Sequence, residues 1–152
     1  MAKSSHALIG IAGVHYIVSE LSRRGLVALP TIRNTAGYDV IVSNVEGTQY
    51  ANIQVKSSSK RVSFFPMPPS NKINDHKTAF YALVRWLEKD QRYECFFLTG
   101  AEAKKAVQAS EKLQKKNIMQ GTRKKLFPCV YVGPRVEEKA ETWKERWNNW
   151  LL

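Results

Sequence analysis

The chain reads as an α/β domain, a central mixed sheet flanked by helices. Three observations predict it. Apolar residues at helical spacing open the chain, and β-branched and aromatic runs divided by turn residues fill its middle. A helix with its own cap signal follows the last of those runs, and the order helix, strands, helix, helix is best packed as a sheet covered by helices. At 152 residues the chain suits one domain, read as spanning 1–152, with a core over about 5–116 and a basic segment plus a tryptophan-rich helix over 117–152.

Each element has its own signal. Ala7, Leu8, Ile11, Val14, Ile17, Val18 and Leu21 recur at helical spacing, with Ser4 or Ser5 to cap the start and Gly25 to end the helix. Leu26 to Leu29 is a short strand stopped by Pro30, and Thr31 to Gly37 a loop. Val40 to Ser43 and Tyr50 to Lys56 form an antiparallel pair around Glu46-Gly47. Val62 to Phe65 predicts a further strand, after which Pro66, Pro68 and Pro69 exclude regular structure and Ser70 to Lys77 continues as loop. Phe80 to Trp86 and Tyr93 to Leu98 pair around Asp90-Gln91. Thr99 with Glu102 three residues on is a capping box, and the helix it opens extends to about Lys116. An irregular basic stretch, Lys115 to Lys125, leads to a short strand at Val130 to Val132 and a terminal helix from Glu137 to Trp150.

Lys plus Arg number 24 against 13 Asp plus Glu, a formal charge of +11. That excess favours polyanions, nucleic acid before anionic membrane. Cys95 and Cys129 have apolar neighbours and read as buried free thiols. No Cys/His cluster has zinc spacing, and His6, His15 and His76 form no motif. The N-terminus lacks the layout of a signal peptide and no apolar run is long enough to span a bilayer, so the expectation is a cytoplasmic protein without membrane partners.

The chemistry concentrates on the hairpin. Gly37-Tyr38-Asp39 opens one of its strands and Gln54-Val55-Lys56 ends the other. Alternation along a strand puts Gln54 and Lys56 on one face and Val55 on the other. A carboxylate, an amide oxygen and an ammonium at one sheet edge suit a divalent metal with a cation beside it, the equipment of phosphodiester hydrolysis. Mg²⁺, or Mn²⁺ in its place, takes hard oxygen ligands. Asp39 supplies a carboxylate, Gln54 a carbonyl oxygen and Val55 its main-chain carbonyl, while Lys56 positions water or offsets charge on phosphorus. Taken singly, Asp39 also reads as a turn acid after Gly37, Gln54 as a partner for sheet backbone and Lys56 as a strand-end lysine.

The pattern resembles the PD-(D/E)xK nuclease superfamily, whose signature is an acid opening one strand and Glu or Gln, any residue, and Lys on the next. Asp39 and Gln54-Val55-Lys56 match it, and Ala12-Gly13-Val14-His15-Tyr16 with Glu20 to Gly25 resembles the first helix of a small bacterial subgroup. The resemblance covers about residues 10–107. It implies a restriction-endonuclease-like core and a metal-dependent endodeoxyribonuclease in which Asp39, Gln54 and Lys56 are catalytic. The alternative is a nuclease-like domain that binds DNA without cutting. Two departures favour that alternative: Val14 stands where members commonly carry a helix Glu, and Gln54 replaces an acid, leaving Asp39 as the one formal negative charge. Glu20 precedes Arg23 and Arg24 by three and four residues and is expected to pair with them on the surface.

DNA contacts are expected from Arg33, with Asn34 beside it, from Ser57, Lys60 and Arg61 at the exit of the Gln54 strand, and from Arg123, Lys124 and Lys125 in the densest basic segment, where a solvated face is the competing reading. Trp143, Trp147 and Trp150 fall on one face of the expected terminal helix. Packing onto the core is the first reading of that stripe, and it is also the expected route to any homodimer.

Overall fold

The computed structural model describes residues 5–32, 37–133 and 136–147. Helix α1 spans His6–Arg23. The Ser5 hydroxyl caps it by accepting the Leu8 N–H at 3.3 Å, and Gly25, at φ +83°, turns the chain out of it. Strands β1 (Val27–Pro30), β2 (Val40–Ser43), β3 (Tyr50–Ser58), β5 (Ala79–Leu87) and β6 (Arg92–Thr99) form one sheet in the order β1-β2-β3-β5-β6. All neighbours are antiparallel except β3 and β5, which run parallel from Asn52↔Ala79 to Ser58↔Arg85. The sheet is therefore mixed and flanked by helices, as the sequence predicts.

The parallel step needs a crossover, and the chain between β3 and β5 supplies it. It holds β4 (Phe64–Pro66), which pairs with β7 (Cys129–Tyr131) in a separate two-stranded sheet. The strand expected at Val62 to Phe65 thus sits slightly later and takes in Pro66, which a short ribbon accommodates because an edge position asks no ladder donor of it. Helix α2, Gly100–Met119, opens with the expected capping box: Thr99 Oγ1 accepts the Glu102 N–H at 3.2 Å, and Glu102 accepts the Thr99 N–H at 2.8 Å. It runs past Lys116, so Lys115 and Lys116 are helical and the irregular basic stretch begins after Met119.

Two cores lie on the two faces of the sheet. On one, α1 packs Ile17 and Leu21 against Val40, Val42, Ile53, Phe80, Ala82, Val84 and Phe97. On the other, α2 packs Ala103 and Val107 against Tyr81, Leu83, Phe96 and Leu98. Strand β5 feeds both by simple alternation, which is why it reads as an unbroken apolar run.

The terminal helix is shorter than expected. Helix α3 covers Glu137–Trp143. Beyond it Lys144 bridges Phe96 of the edge strand β6 and Glu145, at φ +46°, turns the chain against that edge: the Glu145 N–H donates to the Cys95 carbonyl at 2.8 Å, and the Cys95 N–H to Glu145 Oε1 at 3.0 Å. This covers the open edge of the sheet. It also separates the tryptophans. Trp143 is buried in the α2-side core and Trp147 in the α1-side core, while Trp150 lies outside the described residues. The single helix face expected for a dimer is therefore absent from the described residues; both described tryptophans pack inside the chain.

Candidate active site

Strand β3 outruns β2. The β2 pairing stops at Val40↔Ile53, whereas β3 continues to Ser58 against β5. Successive residues of β3 turn their main-chain groups to alternate sides: the Asn52 N–H bonds to Thr78 on the β5 side, and the Ile53 carbonyl accepts the Asp39 N–H at 2.9 Å on the β2 side. Val55 therefore faces the β2 side, where no ladder partner remains. The Asp39 carboxylate takes that place. Its Oδ2 accepts the Val55 N–H at 2.7 Å, across sixteen positions of sequence. A residue's N–H and carbonyl share a side of the strand, so the Val55 carbonyl opens towards Asp39 as well.

The side chains divide as alternation requires. Val55 packs against the α1-side core, and Ser57 lies directly under Gly13 of α1. Gln54 and Lys56 thus share the opposite face, in register with Tyr81 and Leu83 of the α2-side core. Both are half-buried. Asp39, in the plane of the sheet, also opens on a cavity of about 310 Å³ on the α1 side. Its walls include Val14, His15, His6, Thr31, Tyr38 and Val55, but neither Gln54 nor Lys56.

His6 and His15 are what sequence reasoning missed. Their spacing makes no motif, but rows i, i+4 and i+8 of α1 line the cavity with His6, Gly10 and Val14 and with Ala7, Ile11 and His15. The available signal was that His15 adjoins Val14, the position where the family pattern wants a carboxylate. Val14 itself packs against the α1-side core. Glu20 is placed as expected, paired with Arg23 at 3.0 Å and Arg24 at 2.5 Å, and those hydrogen bonds hold its carboxyl below the usual range.

The expected DNA contacts fare unevenly. Arg33 and Asn34 lie outside the described residues. The Ser57 hydroxyl is buried without a hydrogen-bond partner, because its odd-numbered position faces α1, so it is not presented to a phosphate. Lys60 and Arg61 are exposed. So are Lys124 and Lys125, while Arg123 is half-buried and donates from Nε to the Lys125 carbonyl at 2.7 Å, closing a turn.

Near the end of β3 lies a buried ion pair that fixes its neighbour strand. Arg85, opposite Ser58, donates from Nε and Nη2 to Glu94 Oε2 at 2.7 and 2.6 Å and from Nη1 to the Val62 carbonyl. Lys144 reaches Glu94 Oε1 at 3.2 Å. Burial raises the Glu94 carboxyl, but the Arg85 guanidinium and Lys144 ammonium more than offset it and hold it below its ordinary value. Burial pushes the Cys95 thiol well up, with the Glu145 and Glu94 carboxylates adding to it; both cysteines are free and buried, as expected.

No family model matches the chain, and no curated protein does. Among solved structures, the bacterial homing endonuclease I-Ssp6803I matches at 16% identity with a TM-score of 0.45, over 65% of this chain and 68% of that one. Among the described residues no group of three or more His, Cys, Asp or Glu side chains is placed to hold a metal, and no helix is long and apolar enough to cross a membrane.

The donors at Asp39 can still be weighed by type. Mg²⁺ keeps much of its water and is commonly bound through one or two carboxylates plus substrate phosphates. A carboxylate, a main-chain carbonyl and an amide oxygen are each hard donors of the type such an ion takes, and they carry little negative charge to retain it before substrate arrives.

Proposed function

We propose that this chain is a metal-dependent endodeoxyribonuclease of the PD-(D/E)xK type, with a restriction-endonuclease-like core. The observation that supports it most is the 2.7 Å hydrogen bond from the Val55 N–H to the Asp39 carboxylate, which sets the acid of one strand against the middle of the Gln54-Val55-Lys56 triplet of the next. Asp39, the Val55 carbonyl and Gln54 hold Mg²⁺ or Mn²⁺. When bound, the ion supplies charge neutralisation at phosphorus and an acidified water. Asp39 Oδ2 accepts the Val55 N–H, and its other oxygen would be available to hold the ion. Lys56 places an ammonium on the face it shares with Gln54, where it offsets charge developing on the phosphate oxygens. DNA is drawn in by the net charge of +11, with Lys60, Arg61, Lys124 and Lys125 as exposed phosphate contacts.

One observation favours a second reading. Among the described residues Asp39 is the only carboxylate lining the cavity, with Val14 rather than an acid on the neighbouring wall. A domain so equipped can hold DNA without cutting it. Incubation with plasmid, linear and branched DNA plus Mg²⁺ or Mn²⁺ separates the two. Cleavage lost in both Asp39→Ala and Lys56→Ala supports the enzyme. Binding without cleavage, unchanged by Asp39→Ala, supports the binding domain, and no affinity for DNA at low salt refutes both.

A further inference from the structure

The first turns of α1 stand between two cavities. One opens on Asp39; the other, of about 450 Å³, lies on the far side of the helix. Its floor is aromatic. Trp86 of β5 and Tyr93 of β6 are register partners with ring centroids 4.9 Å apart, and Tyr93 is backed by Tyr16 at 4.8 Å. Both Trp86 and Tyr93 are part-exposed, and Leu8 of α1, 59% exposed, forms the facing wall. The indole is fixed by its Nε1–H donating to Glu88 Oε2 at 2.9 Å. At the mouth are Ser58 and Ser59. The Ser58 hydroxyl donates to the Lys60 carbonyl at 2.8 Å and accepts the Lys60 N–H at 3.3 Å, a turn that sets exposed Lys60 directly after the lining residue Ser59, while Arg61 lines a separate cavity with Val62, Arg85 and Glu94.

We propose that this slot takes an unpaired nucleobase, from a single-stranded or flared segment of DNA whose backbone is held by Lys60. A pair of part-exposed rings on adjacent strands beside a cationic turn is the combination that binds single strands without sequence preference, rings for the base and charge for the phosphate. An aliphatic ligand would leave the adjoining Lys60 without a purpose, and a chain of charge +11 already selects a polyanion. The two cavities share β3. Val55 lines one and Ser58 the other, about 10 Å apart at the rise of a strand, or about three stacked base steps. The inference rests on the DNA-directed reading above and adds to it a preference for unpaired substrate next to the site.

The test is a metal-free titration at low salt, with EDTA, of a thymidine oligonucleotide against the same sequence in a blunt duplex, read by tryptophan fluorescence and by anisotropy of a labelled strand. The single strand quenches part of the emission and binds more tightly than the duplex. Trp86→Leu abolishes that quench, and Leu8→Asp, at an exposed helix position that folding tolerates, weakens single-strand binding by about tenfold or more. Leu113→Asp, on a comparably exposed leucine of α2, makes the same charge change as a control and binds as the parent does. Equal binding of single strand and duplex, or a Leu8→Asp variant no different from Leu113→Asp, overturns the proposal. A quench that survives Asp39→Ala in a protein that cuts nothing leaves the slot standing while the nuclease reading fails. Cleavage without a single-strand preference does the reverse.

Discussion

Gly13→Ala tests how closely the helix and the candidate catalytic strand are coupled. A Cβ built on Gly13 meets Ser57 Oγ at 1.8 Å, Ser57 Cβ at 2.9 Å and Val55 Cγ1 at 3.6 Å. The hydroxyl can rotate away, but Ser57 Cβ cannot move without β3. Overpacking of this kind costs about 1–3 kcal/mol. Alanine in a helix interior returns about 1 kcal/mol relative to glycine. The net expectation is a loss of up to about 2 kcal/mol, together with reduced activity of the proposed nuclease because the displaced residue adjoins Lys56. Ser57→Gly removes both offending atoms and leaves only the ordinary contact to Val55. In that background Gly13→Ala becomes stabilising by about 0.5–1 kcal/mol, so the coupling between the two positions is the overpacking cost itself, about 1–3 kcal/mol. Urea denaturation of the parent, both single variants and the double variant measures it. Single effects that simply add, to within about 0.5 kcal/mol, refute the reasoning.

Removing Arg85 as Arg85→Met leaves the buried Glu94 carboxylate with Lys144 alone and is expected to cost about 3–5 kcal/mol at neutral pH. Because the folded Glu94 carboxyl lies below its ordinary 4.5, the stabilisation from the pair is present above that value and is lost as pH falls through the lower folded one, so the gap between parent and variant narrows on acidification. Denaturation at pH 7 and at pH 4 reads this, and a constant gap sinks the assignment. Thr99→Ala breaks the capping box of α2 and lowers stability by about 1 kcal/mol in a thermal melt; an unchanged melt means that the cap is redundant. Lys124→Ala with Lys125→Ala weakens duplex binding and flattens its log–log salt dependence by about 0.9 for each phosphate left without its lysine, while an unchanged slope takes those lysines out of the interface.

Local signals were legible because their partners are three or four residues away. Ser5 and Thr99 cap the helices that begin beside them, and the runs on either side of Asp90-Gln91 pair as an antiparallel hairpin. Signals that depend on distant partners were not. The spacing of Trp143 and Trp147 is compatible with one helix, but Glu145 finds the open edge of β6 some fifty residues away and draws the chain out of helical conformation. The candidate site divides in the same way. Acid and triplet were readable as a motif, and strand alternation gave the faces of Gln54 and Lys56. The cavity that joins Asp39 to His15 exists only because α1 crosses β3 at Gly13, and spacing alone does not reveal a crossing.

That crossing ties fold to chemistry. A strand slipped by one residue exchanges its two faces completely. In β3 such a slip would bring Gln54 and Lys56 under α1 and turn Ile53 and Val55 away from it, at the cost of one fully buried and one partly buried apolar side chain and with charge forced into the core. Three contacts oppose it. Ile53 is held opposite Val40 in the ladder, the Val55 N–H is held by Asp39, and Ser57 is held against a helix position that admits only glycine beside it. The middle contact uses the same carboxylate that the proposed chemistry uses. Asp39→Ala therefore removes the proposed metal ligand and a register pin together, whereas Asp39→Asn keeps an oxygen for the Val55 N–H while removing the charge. A nuclease that loses cleavage in both variants but stability only in the alanine one has its acid working in both capacities.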